Sequence, residues 1–156
     1  MSNTSTSSQP IGQPLANYAA CKRVGDFIFM SGVIAVDPVA RKVVSSYADV
    51  PPAVRAQLGE TGQMSVDIFE APILTQSWFV LERIRQLIEA EGGQMSDVFK
   101  LVQYFRDLRD YPHYNRVRSQ FFTEPPVSTV VEVSRFLPSD AVLVEVEATA
   151  YLPQKK

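Results

Sequence analysis

The chain has 156 residues and carries 15 Lys and Arg against 17 Asp and Glu, a formal net charge of -2. That length fits one domain, and the charge balance gives no electrostatic case for nucleic acid or an anionic membrane as a partner. Cys21 and His113 are the only residues of their kinds. They exclude an internal disulfide and a His/Cys zinc site, so no metal is expected and a reducing, cytoplasmic setting is the natural reading.

Residues 1–14, rich in Ser, Thr, Gln and Pro, read as a disordered tail without the basic start and apolar stretch of a signal peptide. Residues 15–156 read as a single domain. Tyr18 to Lys22 can form a first strand, Val24-Gly25-Asp26 signals a turn, and Phe27 to Ala35 alternates as a second strand. On that strand Phe27, Phe29, Ser31 and Val33 share one face and Ile28, Met30, Gly32 and Ile34 the other. Both faces are mostly apolar, which predicts cover on both sides.

Residues 38–66 interrupt the pattern with Pro38, Pro51-Pro52 and Gly59 to Gly62, and read as an inserted loop holding a short helix near Ala53 to Leu58. Pro72 opens a helix in which Leu74, Trp78, Leu81, Ile84, Leu87 and Ile88 recur at helical spacing, and Gly92-Gly93 ends it. Val98 to Phe105 is the next strand. Asp110 is placed to cap a helix over Tyr111 to Phe122. Val127 to Phe136 and Ala141 to Leu152 alternate as strands on either side of a Pro138-Ser139-Asp140 turn. The order strand, strand, insert, helix, strand, helix, strand, strand predicts an α+β two-layer sandwich, with helices on one face of a mixed sheet.

No phosphate-binding loop, dinucleotide glycine motif or serine-hydrolase elbow occurs, so no organic cofactor is expected. The basic run Arg106, Arg109, Arg116, Arg118 is broken by Asp107 and Asp110, which suits a salt-bridged solvated face. Cys21 reads as a small hydrophobe beside Lys22, and His113 as a surface residue. Glu132 and Glu147 read as structural carboxylates.

Several stretches resemble one family in order: Asn17-Tyr18 before Val24-Gly25-Asp26; Ile28 to Gly32; Gln76; Gly92 with Ser96 to Lys100; Tyr114-Asn115 and Phe121-Phe122; Val130 to Val133; and Val144 to Ala148. Together they resemble the Rid family, also called YjgF-type or L-PSP-type, over roughly residues 16–153 apart from the insert. The resemblance implies a chorismate-mutase-like fold, a homotrimer, and small-molecule clefts between subunits. It also implies cofactor-free hydrolysis of reactive enamines, imines or aminomuconate-like compounds. Tyr18, Ser31 and Gly32 match the family's cleft residues, and Glu145 matches the carboxylate that holds the attacking water. Ser128 stands where the deaminase motif has arginine.

A guanidinium grips a carboxylate through two parallel hydrogen bonds, whereas a serine hydroxyl offers one neutral donor. The chain is therefore expected to hydrolyse simple α-imino acids poorly unless Arg55, Arg116 or Arg118 supplies another anchor. Two functions stay open: a hydrolytic deaminase, favoured by Glu145, and a non-catalytic small-molecule-binding homologue, favoured by Ser128.

Overall fold

A computed structural model describes residues 14–155, and the predicted tail falls outside this range except for Pro14. Strands β1 (Cys21–Val24) and β2 (Phe27–Met30) form a hairpin closed by Gly25 and Asp26. Gly25 adopts φ +59°, the left-handed conformation that a two-residue hairpin turn demands and that glycine takes without steric cost. The first strand starts later than its apolar pattern suggests. Its ladder with β2 runs only from Cys21 opposite Met30 to Val24 opposite Phe27. Tyr18 lies in the irregular segment before it.

The predicted continuous strand over Phe27 to Ala35 is broken at Ser31-Gly32. β2 pairs with β8 (Val144–Tyr151) as far as Phe29 opposite Thr149, and β3 (Val33–Ile34) rejoins the same partner with Val33 opposite Val146. Four residues of advance on one side meet three on the other, which is a β-bulge. A one-residue slip exchanges the faces of a strand. Ile28 and Met30 are buried before the bulge. After it, Val33 pairs with buried Val146, and Ile34 pairs with Glu145 on the opposite face. The predicted faces of Val33 and Ile34 are thereby reversed.

The segment over residues 38–66 has more structure than the expected loop. β4 (Val36–Asp37) pairs with β5 (Lys42–Val43), and a single 3-10 turn over Tyr47–Asp49 leads to α1 (Pro52–Leu58). The Asp49 carboxylate pairs with Lys42 and accepts the backbone N–H groups of Ser45 and Ser46, both at 3.0 Å. Val44, Tyr47, Val50 and Leu58 join the core.

Helix α2 (Met64–Ala90) starts well before Pro72, which lies inside it. Two local features permit this. The Asp67 carboxylate accepts Thr61 Oγ1 at 2.7 Å, the Gly62 N–H at 2.9 Å and the Thr61 N–H at 3.0 Å, which ties the preceding turn to the first helical residues. Pro72 leaves the Ile68 carbonyl without its helical donor, and Ile68 is a solvent-exposed residue, a setting in which water can stand in for the missing bond. Gly92 at φ +85° follows the last turn, as its sequence position predicts.

β6 occupies the predicted Val98–Phe105. Helix α3 is shorter than predicted, Tyr111–Arg118, because the chain then tightens: the Gln120 and Phe121 N–H groups bond to Val117 and Arg118 three residues back. Asp110 makes no side-chain cap, and Asp107 accepts the Arg109 N–H at 2.9 Å instead. β7 is Val127–Glu132, and β8 begins at Val144. Both strands stop short of their predicted bounds beside the turn that joins them.

The main sheet has six strands in the order β1-β2-β8-β6-β7, with β3 also on β8, and only the β6–β7 pair is parallel. Helices α2 and α3 cover one face, where Leu81, Ile84, Ile88 and Val117 pack in one cluster with Ile28, Leu101, Phe105, Val144 and Val146. This is the α+β sandwich read from the element order. Gln76, wholly buried on α2, donates to the Ala141 carbonyl and accepts the Leu143 N–H, both at 2.8 Å, fastening the approach to β8. On the other face Phe27, Phe29, Phe99 and Tyr151 are exposed, and the Phe27 ring lies 5.3 Å from Tyr151 and 6.1 Å from Phe99. The predicted second cover is not supplied within one chain. Among the described residues no helix is long and apolar enough to cross a membrane.

Candidate active site

The bulge at Ser31-Gly32 builds the floor of the site. Gly32 lies directly beneath the Glu145 side chain: a methyl group there would overlap Oε1 and come within 2.9 Å of Cδ. Glycine is required at this point by close approach, since its backbone does not enter the left-handed region. Ser31 turns the other way. Its hydroxyl donates to the Ala19 carbonyl at 2.6 Å and its N–H to the Ala20 carbonyl at 2.9 Å. Ser31 thus holds the segment that carries Tyr18. Tyr18, Ser31, Gly32 and Glu145 line one depression, together with Leu15, Arg135, Leu137 and Pro138. An adjoining depression shares Tyr18, Ser31 and Gly32 and runs toward Arg83 and Leu87 of α2.

Glu145 makes no hydrogen bond or ion pair with any described residue. Burial first, and the charge of Glu147 second, hold its carboxyl above the usual carboxylate range. Tyr104 faces it across the β6–β8 ladder, and burial together with Glu147 and Glu145 raises that phenol also. A carboxylate without partners, its proton affinity raised by burial, is a better proton acceptor for water.

Ser128 does not join this group. It sits on the edge strand β7 opposite Leu101 of β6, and Leu101 is buried under the helices, whereas Glu145 pairs with Tyr104 on the open face. Within one chain the two positions lie on opposite sides of the sheet. Ser128 Oγ instead accepts Gln103 Nε2 at 2.7 Å and Arg118 Nη1 at 3.2 Å. Of the three arginines considered as alternative anchors, only Arg118 reaches Ser128. Arg55 bonds to the Val50 carbonyl at 3.3 Å, and Arg116 borders a separate depression with Glu70 and Gln120.

Sequence reasoning missed Arg135 and Gln103. Arg135 reaches the depression because the chain after β7 returns beside Gly32, a tertiary approach with no local pattern. Gln103 interrupts the apolar side of β6, so a buried polar role was the available signal. Cys21 donates weakly to Glu91 at 3.4 Å, and burial followed by that carboxylate raises its thiol, against any lowering by Lys22. His113 approaches Glu70 at 3.6 Å.

Together the fold and these residues define an α+β sandwich with a carboxylate-bearing depression at a strand bulge. The chain belongs to the endoribonuclease L-PSP family, the YjgF/RutC/Rid group, whose model matches residues 7–152. A solved protein from Klebsiella pneumoniae, described as an endoribonuclease, superposes with a TM-score of 0.86 at 57% identity, covering 87% of this chain and 100% of that one. A RutC family protein of Pyrococcus abyssi is 36% identical over 140 residues, 89% of each chain. A protein of Salmonella typhimurium named 2-iminobutanoate/2-iminopropanoate deaminase is 30% identical over 131 residues, 81% of this chain and 80% of its own.

Proposed function

We propose that the protein is a cofactor-free hydrolytic deaminase of a reactive imine or enamine, acting at clefts between the subunits of a homotrimer in the cytoplasm. The observation that carries this reading is Glu145, unpaired and raised by burial above the bulge at Gly32. In the proposed reaction an imine carbon bound near Glu145 is attacked by water as the carboxylate takes the water proton. That proton passes to nitrogen to give the carbinolamine; the carboxylate then relays the carbinolamine hydroxyl proton to the amino nitrogen as the carbon–nitrogen bond breaks, and a ketone and ammonia leave. An enamine enters the same course after taking a proton at carbon. The deaminase name of the Salmonella relative supports the reaction class. The exposed aromatic face supports association, since bare apolar patches of this kind mark contacts between chains.

A second reading, a small-molecule-binding homologue without catalysis, draws on Ser128, which offers no charge of its own. Glu145→Gln separates the two. It keeps shape and removes the proton acceptor, so ammonia release from 2-iminopropanoate, generated in place by an amino-acid oxidase, should fall about 100- to 10,000-fold. A loss below about threefold would remove Glu145 from the mechanism. An absence of catalysis in the natural protein would favour the binding reading.

A further inference from the structure

Arg118 is held in an unusual way. Its Nη1 donates to Gln103 Oε1 at 3.0 Å and to Ser128 Oγ at 3.2 Å, and its Nη2 donates to Asn115 Oδ1 at 2.7 Å. All three acceptors are neutral, and no carboxylate pairs with it among the described residues. By contrast Arg23, Arg85 and Arg109 each lie against an acidic side chain. A half-buried guanidinium without a counter-charge has lost hydration and gained no ion pair, and an arriving anion supplies that missing partner.

The support for Arg118 is itself fixed. Gln103 is fully buried, and its amide is fully used: Nε2 donates to Ser128 Oγ at 2.7 Å and to the Thr129 carbonyl at 3.0 Å, which turns Oε1 toward the arginine. Ser128 Oγ accepts from two sides, and its own proton meets no acceptor among the described residues. A hydroxyl in that state is left to donate outward. Of the five guanidinium donors, three are accounted for by Gln103, Ser128 and Asn115. The others and the Ser128 hydroxyl stand at an edge strand that is exposed along most of its length.

We infer that Arg118, carried on α3 and positioned by Gln103 and Ser128, is the anion-binding guanidinium of this protein, and that its substrates bear a carboxylate. The inference rests on the deaminase reading for its substrate and on the trimer for its geometry. Ser128 and Glu145 lie on opposite faces of one sheet, so the cleft takes Arg118 from one copy and Glu145 from its neighbour. Ser128 then serves as a prop for the guanidinium, and the expectation of poor turnover of α-imino acids is reversed.

Two measurements test this on the intact chain. The first is calorimetric binding of pyruvate, the carboxylate product of 2-iminopropanoate hydrolysis. Arg118→Gln should weaken it at least about 10-fold, the worth of one charge-assisted contact. Arg118→Lys, which keeps the charge and loses the fork, should fall between. Glu145→Gln should bind pyruvate nearly as the natural protein does. The second is co-expression of Glu145→Gln and Arg118→Gln subunits. Random mixed trimers regain one intact cleft each, and activity should return to about a quarter of the natural level. Unchanged pyruvate binding in both Arg118 variants would overturn the anchor while leaving the deaminase reading to its own test. A loss confined to Arg135→Ala would move the anchor to the depression of Glu145 and equally overturn it. No recovery on mixing, with both parent variants folded by circular dichroism, would overturn the shared cleft.

Discussion

On the open face of the sheet Glu145 stands with no partner among the described residues, raised by burial and by Glu147, while on the helix-covered face Arg118 is gripped by three neutral acceptors. The two charges are prepared by opposite means. The carboxylate is made reactive by burial and by the neighbouring charge of Glu147, which lift its proton affinity with no donor to offset them. The guanidinium cannot be tuned in that way, because it stays charged at any relevant pH. It is prepared by orientation alone, through a buried amide that faces its carbonyl toward the cation. The difference suits a division of labour in which one group moves a proton and the other holds a substrate.

The largest expected effect on this comparison is the loss of turnover in Glu145→Gln already described. Gly32→Ala should come next. The added methyl cannot coexist with the present Glu145 rotamer, so the carboxylate must swing aside. Displacement of a reacting group by about an ångström costs on the order of 100-fold in kcat. Pyruvate binding through Arg118 should survive that change. A Gly32→Ala protein with natural kcat would show that the position of Glu145 over the bulge is irrelevant to catalysis.

Gln103→Leu tests the other side with a smaller effect. Leucine fills the buried volume but releases Arg118 and Ser128 together. As a positioning residue Gln103 should act on KM, raising it roughly 5-fold with kcat nearly intact, because a neutral hydrogen bond contributes about 1 kcal/mol. A purely structural role would lower the fraction of folded protein and leave KM unchanged.

The layer architecture was legible in the sequence because it depends on period. β6 falls where alternation places it, and the buried positions Val142, Val144, Val146 and Ala148 before and within β8 are the ones its pattern assigns. The bulge at Ser31-Gly32 was not legible, since an extra residue leaves the apolar pattern of Phe27 to Ile34 unbroken and only the partner strand reveals the slip. The start of α2 was misread because Pro72 is a strong local stop signal, whereas the Asp67 staple and the exposed setting of Ile68 that override it are three-dimensional. For the site, Tyr18, Ser31, Gly32 and Glu145 were found through family resemblance and do share one depression. The same resemblance marked Ser128 as a loss. Only the fold brings Arg118, ten residues earlier in the chain, to its hydroxyl.

The smallest expected effect concerns the cost of keeping Glu145 raised. Its folded-state affinity for a proton exceeds that of the unfolded chain, so its contribution to stability is fully present at acid pH and is lost as pH rises through the folded-state value. At neutral pH the ionised carboxylate therefore destabilises the native state, and Glu145→Gln should relieve this. The group is only partly buried, so screening reduces the gain, and a small rise in melting point at pH 7 is expected. The gain should shrink as the pH falls and vanish below about pH 4, where the unfolded chain also binds the proton. Melting curves of both proteins from pH 4 to 8, at one protein concentration so that association does not contribute, make the comparison. A variant that melts lower than the natural protein at pH 7 would mean that the carboxylate has a stabilising partner in the assembled protein. Glu145 and Arg118 would then be prepared by the same means, as two held charges, and the division of labour between the sheet's faces would fall.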